Sequence, residues 1–166
     1  MRAQAQAKVF PKDKQEHNTQ KGMVRDLLRF VPYKEADIIM DAGSGIEKVW
    51  FNSVLTANKM EMEIKEGKDY LTFKEKVDWT IGNPPYYISW LFTKKALETS
   101  RKGIAWLLNL NNLNSLFTPK RLSFAKEKGF EITKIHIVND SRWFGRYFFV
   151  VYEKKKGILT WKRETY

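Results

Sequence analysis

The chain has 166 residues, 43% hydrophobic and 14% aromatic, with no cysteine and a formal net charge of +11. That length suits one globular domain with a single sizeable core, and the charge points to a polyanionic partner, nucleic acid first. The missing cysteines exclude disulfides, thiolate metal sites and a cysteine nucleophile. No apolar run reaches the roughly 20 residues of a membrane span, and no signal peptide opens the chain, so a cytoplasmic protein is expected (in the host cytoplasm if a virus or mobile element encodes it).

Residues 1–18 are polar and basic and read as an N-terminal arm. From 19 to 30, Met23, Val24, Leu27, Leu28 and Phe30 fall near helical spacing, with Thr19 or Asn18 as cap and Pro32 as the stop. Ile38, Ile39 and Met40 form a short apolar run into Asp41 and a glycine turn, the pattern of a buried strand followed by a tight loop. A helix is predicted from 48, an alternating strand over 59–64, a loop over 67–73 and a strand over 76–82. A helix follows over 86–100 and a strand over 103–110. The stretch "NLNNLNSLF" at 109–117 reads as a loop over the site or as turn residues capping the next helix. That next helix carries Pro119 in its first turn and is closed by Gly129. Two final strands, 131–138 and 147–155, are joined by "NDSRWFGR" without a helix. The alternation predicts a doubly wound α/β sheet, mostly parallel, with an antiparallel C-terminal hairpin strand. One domain is expected over 19–156, followed by a basic tail at 157–166.

The turn "DAGSG", Asp41 to Gly45, lies where the first strand should end. In open α/β sheets ligands bind outside the carboxyl ends of the strands, and glycines let backbone approach them. An ordinary strand-to-helix turn explains the same residues. A phosphate-loop ATPase is disfavoured, because no Lys-Ser/Thr pair follows the second glycine. A dinucleotide fold is disfavoured because Glu47 and Lys48 stand where its third glycine would be. Glu63, at the end of the next strand, is placed to hold ribose hydroxyls or is a solvated strand-end acid. Asp69 is placed to accept from an adenine amine or is a turn aspartate.

The stretch "IGNPPYY", residues 81–87, is the most unusual local feature. Two prolines stiffen the chain, and the Asn83 side-chain oxygen and Pro84 carbonyl are both acceptors. Held in fixed directions, they can receive the two hydrogens of one planar NH2 group and free its nitrogen lone pair for attack. Tyr86 offers a face for a flat base, a contact worth ~1–3 kcal/mol. Such acceptors work by preorganisation and need neither a metal nor a base of unusual pKa. A proline-rich strand exit with a packed aromatic is the bland reading.

Together, "DAGSG" and "NPPY" in this order resemble the first and catalytic motifs of S-adenosylmethionine-dependent methyltransferases of the Rossmann-like class, in the branch that includes DNA adenine-N6 methyltransferases. The resemblance covers roughly residues 19–154. It implies S-adenosyl-L-methionine as cofactor, with Asp41, Ala42, Gly43 and Gly45 around its methionine moiety, Glu63 on its ribose and Asp69 on its adenine amine. It implies a first helix, starting at Thr19, that closes over the cofactor. Asn83, Pro84, Pro85 and Tyr86 would be the catalytic set, with Asn83 also bordering the cofactor. The chain departs from the pattern at Glu47 and Lys48, where small residues are usual. It also departs between Ile64 and Asp69, too short for a helix, and in having no target-recognition domain in the sequence after the last strand.

The motif specifies an amino acceptor but not its owner: DNA adenine, an RNA base or a protein glutamine all qualify. The charge favours nucleic acid, DNA before RNA. Lys94, Lys95, Arg101, Lys102, Lys120, Arg121, Lys126, Lys128, Arg142 and Arg146 are spread over the expected face and edges, Lys126 and Lys128 reading as solvated. Tyr87, Arg142, Trp143, Phe144 and Arg146 are the expected nucleic-acid contacts, an Arg-aromatic-Arg loop suiting an extruded base. Target choice would then come from loops, from a second copy of the chain or from a specificity partner. The rival class is a non-catalytic methyltransferase-like subunit that binds nucleic acid without turnover.

Overall fold

A computed structural model describes residues 19–139 and 145–154. The predicted contacts Arg142, Trp143 and Phe144, the arm at 1–18 and the tail at 157–166 lie outside the described residues. The elements run α1 (Lys21–Leu28), β1 (Ile39–Ala42), α2 (Val49–Ser53), β2 (Lys59–Met62), β3 (Val77–Gly82), α3 (Ser89–Thr99), β4 (Ser100–Asn109), α4 (Leu110–Leu116), α5 (Pro119–Glu127), β5 (Phe130–Val138) and β6 (Tyr147–Lys154).

The six strands form one sheet in the order β2-β1-β3-β4-β6-β5. The first four run parallel, and β6 is antiparallel to both its neighbours. The last two strands do form the expected hairpin. It is the returning strand β6, not β5, that pairs with β4, so β5 becomes the sheet edge. Apolarity explains the insertion. Phe149, Val150 and Val151 are buried on both faces, whereas β5 leaves Ile137 62% exposed, and the strand with two apolar faces takes the covered position.

Alternation along the strands divides the core into two layers. Ile104, Trp106, Leu108, Val150 and Tyr152 pack with α3, α4 and α5 on one face. Ala105, Leu107, Phe149 and Val151 pack with Val24, Leu27 and Leu28 of α1 and Trp50 of α2 on the other. On β3 the alternation slips: a register irregularity between Val77 and Trp79 puts these residues in different layers despite their spacing of two. Trp79 then lies flat across its strand partner Gly103. A Cβ built on Gly103 would stand 2.1 Å from the Trp79 ring.

Three local expectations change. The first helix begins at Lys21 with Gln20 in the capping position and no side-chain cap, while Thr19 is buried. Residues 110–116 are a helix rather than a loop, because Asn109 caps it by accepting from the Asn112 N–H at 2.9 Å. Asn112 is buried and takes a hydrogen bond from the Ser89 hydroxyl, which ties α4 to α3. The stretch after β2 holds two 3₁₀ turns, Ile64–Glu66 and Tyr70–Thr72, capped by the side chains of Glu63 and Asp69.

Candidate active site

The parallel strands β1, β2 and β3 all end on one side of the sheet, and a cavity of about 880 Å³ opens there. Its wall combines Thr19, Gly43, Ser44, Gly45, Glu63, Asp69, Asn83, Pro84, Pro85, Tyr86 and Tyr87, which come from five separate segments of sequence. Three predicted residues do not reach it. Arg146 is exposed and is not part of the lining. Asp41 and Ala42 are buried in β1, behind the wall.

Asp41 is a tie between strand and helix. Its Oδ2 accepts from the Phe51 N–H of α2 at 2.8 Å, while Oδ1 is buried without a partner. Burial raises its carboxyl, the Phe51 bond opposes that, and nearby Glu61 and Glu63 add to it, so the pKa is pushed up to about 7. Gly82, the last residue of β3, makes room for this arrangement. It holds φ at 141°, and a Cβ there would lie 3.0 Å from the Ala42 carbonyl oxygen and 3.1 Å from Asp41 Oδ1. Only glycine adopts that backbone readily. Gly82 escaped the sequence reading, although a glycine directly before Asn83 was its signal.

The glycine turn is bound by β2 instead of offering free N–H groups. Gly43 and Ser44 donate to the Met62 carbonyl at 2.9 and 3.1 Å, and Gly45 donates to Glu63 Oε2 at 2.8 Å. The turn therefore contributes shape. A methyl at Gly43 would meet Phe92 at 3.3 Å and Pro85 at 3.5 Å, so the turn and the Asn83–Tyr86 stretch touch. Glu63 also accepts from Lys65 N–H through Oε1 at 3.1 Å. Each of its oxygens keeps a lone-pair direction for another donor. Asp69 caps its turn through Oδ1, which accepts from Leu71 N–H at 2.9 Å, and Oδ2 remains for a ligand.

Glu47 and Lys48 leave the cavity open. Lys48 takes a left-handed backbone, φ 49°. Its Nζ pairs with Glu61 at 3.3 Å and Glu66 at 2.8 Å, and Lys68 bridges the same two acids. Glu61 also accepts from the Ser44 hydroxyl at 3.0 Å. Burial raises its carboxyl, but the bonds from Lys68, Ser44 and Lys48 outweigh that and hold it below the usual range. This ion-pair network, anchored on Glu61, holds the turn against β2.

In the "NPPY" stretch, Pro84 is buried and the Pro85 carbonyl accepts from Ile88 N–H at 3.1 Å. Asn83 Oδ1 is buried with no hydrogen-bond partner of good geometry, and its side chain lies beside the Tyr86 hydroxyl. Burial holds the Tyr86 phenol above its ordinary range, Tyr147 adds to that and Asn83 opposes it. The Tyr86 ring packs 6.3 Å from the Tyr147 ring, whereas Tyr87 is 77% exposed at the cavity mouth. Among the described residues no group of three metal-ligating side chains occurs, and no helix is long and apolar enough to cross a membrane.

None of the predicted basic residues of the body lines the cavity. Arg101 and Lys102 pair with Asp78 and Asp37 at the opposite, N-terminal ends of the strands. Lys95 donates to the Phe73 carbonyl at 3.0 Å. Lys94, Lys120, Arg121, Lys126 and Lys128 gather on α3, α5 and the end of α5.

No protein-family model matches the chain, and no curated protein does. Solved structures are similar to it in fold. A Pyrococcus horikoshii protein provisionally named an RNA methyltransferase shares 17% identity over 81% of each chain, with a TM-score of 0.60. A dimethyladenosine transferase from Plasmodium falciparum shares 16% over 80% of this chain and 60% of that one, with a TM-score of 0.60. Magnesium protoporphyrin IX methyltransferase from Synechocystis PCC 6803 shares 10% over 81% of this chain and 83% of that one, with a TM-score of 0.53. At such identities the likeness is one of architecture, and the sheet of this chain has the Rossmann-like methyltransferase fold.

Proposed function

We propose that the chain transfers a methyl group from S-adenosyl-L-methionine to the exocyclic amino group of a nucleic-acid base, N6 of adenine in DNA first. The observation that carries this reading is Asn83 Oδ1. It is a buried acceptor that makes no hydrogen bond of good geometry, although the Tyr86 hydroxyl lies beside its side chain, and it stands in a stiff Pro-Pro corner on the wall of a cavity whose glycine turn lies against Pro85. Buried acceptors of this kind are normally satisfied, so a donor from a ligand is the natural partner.

The residues present fit the cofactor. Glu63 has lone pairs for ribose hydroxyls, Asp69 Oδ2 for an adenine amine, and Gly43 leaves open a space that a Cβ would crowd. The cofactor supplies an electrophilic methyl group on a sulfonium. Asn83 Oδ1 and the Pro84 carbonyl accept the two hydrogens of the base amine, orienting its lone pair along the line of attack. With the cofactor bound, the nitrogen–carbon bond would form as the sulfonium's sulfur–carbon bond breaks, and the methylated amine would release one proton to water. Tyr86, half-buried against Tyr147, fixes the corner, and exposed Tyr87 is the freer stacking surface.

An RNA base is the second acceptor, supported by the fold's similarity to the Pyrococcus horikoshii protein. The test is methyl transfer from labelled cofactor to DNA, RNA and a protein extract, for the wild type and Asn83→Ala. Label in nucleic acid that falls ~10²–10³-fold in Asn83→Ala, with cofactor binding retained, is the expected result. No cofactor binding by the wild type would refute the enzyme reading. It would leave the non-catalytic binding subunit.

A further inference from the structure

We propose that the surface between α3 and α5 is a track for the phosphate backbone of a single-stranded nucleic acid whose target base enters the cavity. The docking half stands on its own observations, and the link to a target base rests on the function proposed above. α3 starts at the cavity mouth. Exposed Tyr87 stands in the 3₁₀ turn Tyr86–Ile88 just before α3, and on α3 itself Trp90 and Leu91, the latter 47% exposed, lie four and three residues before Lys94. The facing helix α5 and its C-terminal end supply Arg121, Phe124 and Lys128.

These side chains interlock. Trp90 and Phe124 meet edge to face at 5.8 Å. The Arg121 guanidinium sits 4.7 Å over Trp90 and also donates to the Ser115 carbonyl at 3.1 Å. Lys94 and Lys128 stand 5.8 and 5.4 Å over the Phe124 ring. A ring holds a cation in place without cancelling its charge, whereas a carboxylate cancels it. Among the described residues some cations elsewhere, such as Arg25, Lys34 and Lys59, also make no ion pair, but another group does. Lys48, Lys68, Arg101, Lys102 and Lys134 all pair with acids. Among the described residues none of Lys94, Lys120, Arg121, Lys126 and Lys128 does. Five uncancelled cations, three of them fixed on aromatic rings, make a preorganised surface for a polyanion that leads to the cavity mouth. A single strand suits it, because its bases need no extrusion from a stack before reaching Asn83.

The test is fluorescence anisotropy with end-labelled single-stranded DNA and RNA oligonucleotides of one adenine-containing sequence, titrated at several salt concentrations. Lys94→Ala/Lys128→Ala is compared with Arg25→Ala/Lys34→Ala, which removes equal charge far from the track. The expected result is about a tenfold loss of affinity for the first variant only. Its slope of log K against log salt should flatten by roughly 1.4, about 0.7 for each phosphate contact removed. Equal losses in both variants would mean net charge alone, and no loss in the first would mean that another partner, such as an acidic protein, uses this surface; either overturns the proposal. If the track variant loses binding while the wild type transfers no label to either oligonucleotide, the docking surface stands and the methylation reading fails.

Discussion

Replacing Gly103 with alanine would test how the sheet supports the site. The new Cβ would lie 2.1, 2.5 and 2.6 Å from three carbons of the Trp79 ring. Carbon atoms pack at ~3.5–4.0 Å, so the indole must retreat by more than about 1 Å. Trp79 is 2% exposed within the layer that also holds Ile81 and Ala105, and has little room to move. Overpacking of this kind costs about 1–3 kcal/mol. Full ejection of the indole would forfeit ~150–250 Å² of burial, or about 4–6 kcal/mol at 25 cal/mol per Å². We expect a loss of roughly 3–5 kcal/mol, a large share of the ~5–15 kcal/mol of a typical domain. Urea unfolding should show a lower midpoint at an unchanged slope. Trp79→Leu in the same background should recover part of the loss, giving a coupling of about 2 kcal/mol or more between the two positions. A Gly103→Ala variant within about 1 kcal/mol of wild type, or strict additivity with Trp79→Leu, would refute the contact. The outcome bears on function because Trp79 lies four residues before Asn83 on the same strand exit.

Glu63→Gln should weaken cofactor binding about tenfold in calorimetric titration, since the amide keeps one acceptor oxygen for two backbone donors and the ligand; unchanged affinity would remove Glu63 from the ribose role. Asp41→Asn should change the pH dependence of stability. The folded-state pKa of Asp41, about 7, lies above its ordinary 3.8, so between these values the folded state holds the extra proton. Stability from this group is thus greatest at low pH and falls as pH rises through the window, by at most ~1.4 kcal/mol per unit. His136, whose pKa burial holds down, acts in the opposite sense, so the difference between wild type and variant isolates Asp41. Denaturation midpoints from pH 4.5 to 8 that run parallel in the two proteins would show that Asp41 titrates normally.

The strands were legible because apolar runs ending at glycine or proline are local signals. "IIMDAGSG" and "VDWTIGNPPYY" announced two buried strands whose exits carry the candidate motifs, and the structure brings those exits to one cavity. Pro119 and Gly129 likewise bounded α5 where expected. Asp41 shows the limit of that reading: its place in the motif suggested a cofactor contact, but its carboxylate turns toward Phe51. The run at 109–117 held two local options, and the cap at Asn109 with the buried bond from Ser89 to Asn112 chose the helix.

The amino-acid sequence by itself determined the alternation of strands and helices, the stiff acceptor corner at Asn83 and the cationic excess, since each depends on residues close together in the chain. Only the tertiary structure decided that β6 lies between β4 and β5 and that Gly103 lies under Trp79. It likewise gave Glu61 its lysines, and it set Lys94, Arg121 and Lys128 over aromatic rings while pairing Arg101 and Lys102 with acids. These outcomes depend on pairs of residues up to tens of positions apart. Strand pairing and side-chain packing, which no local pattern encodes, set which partners meet.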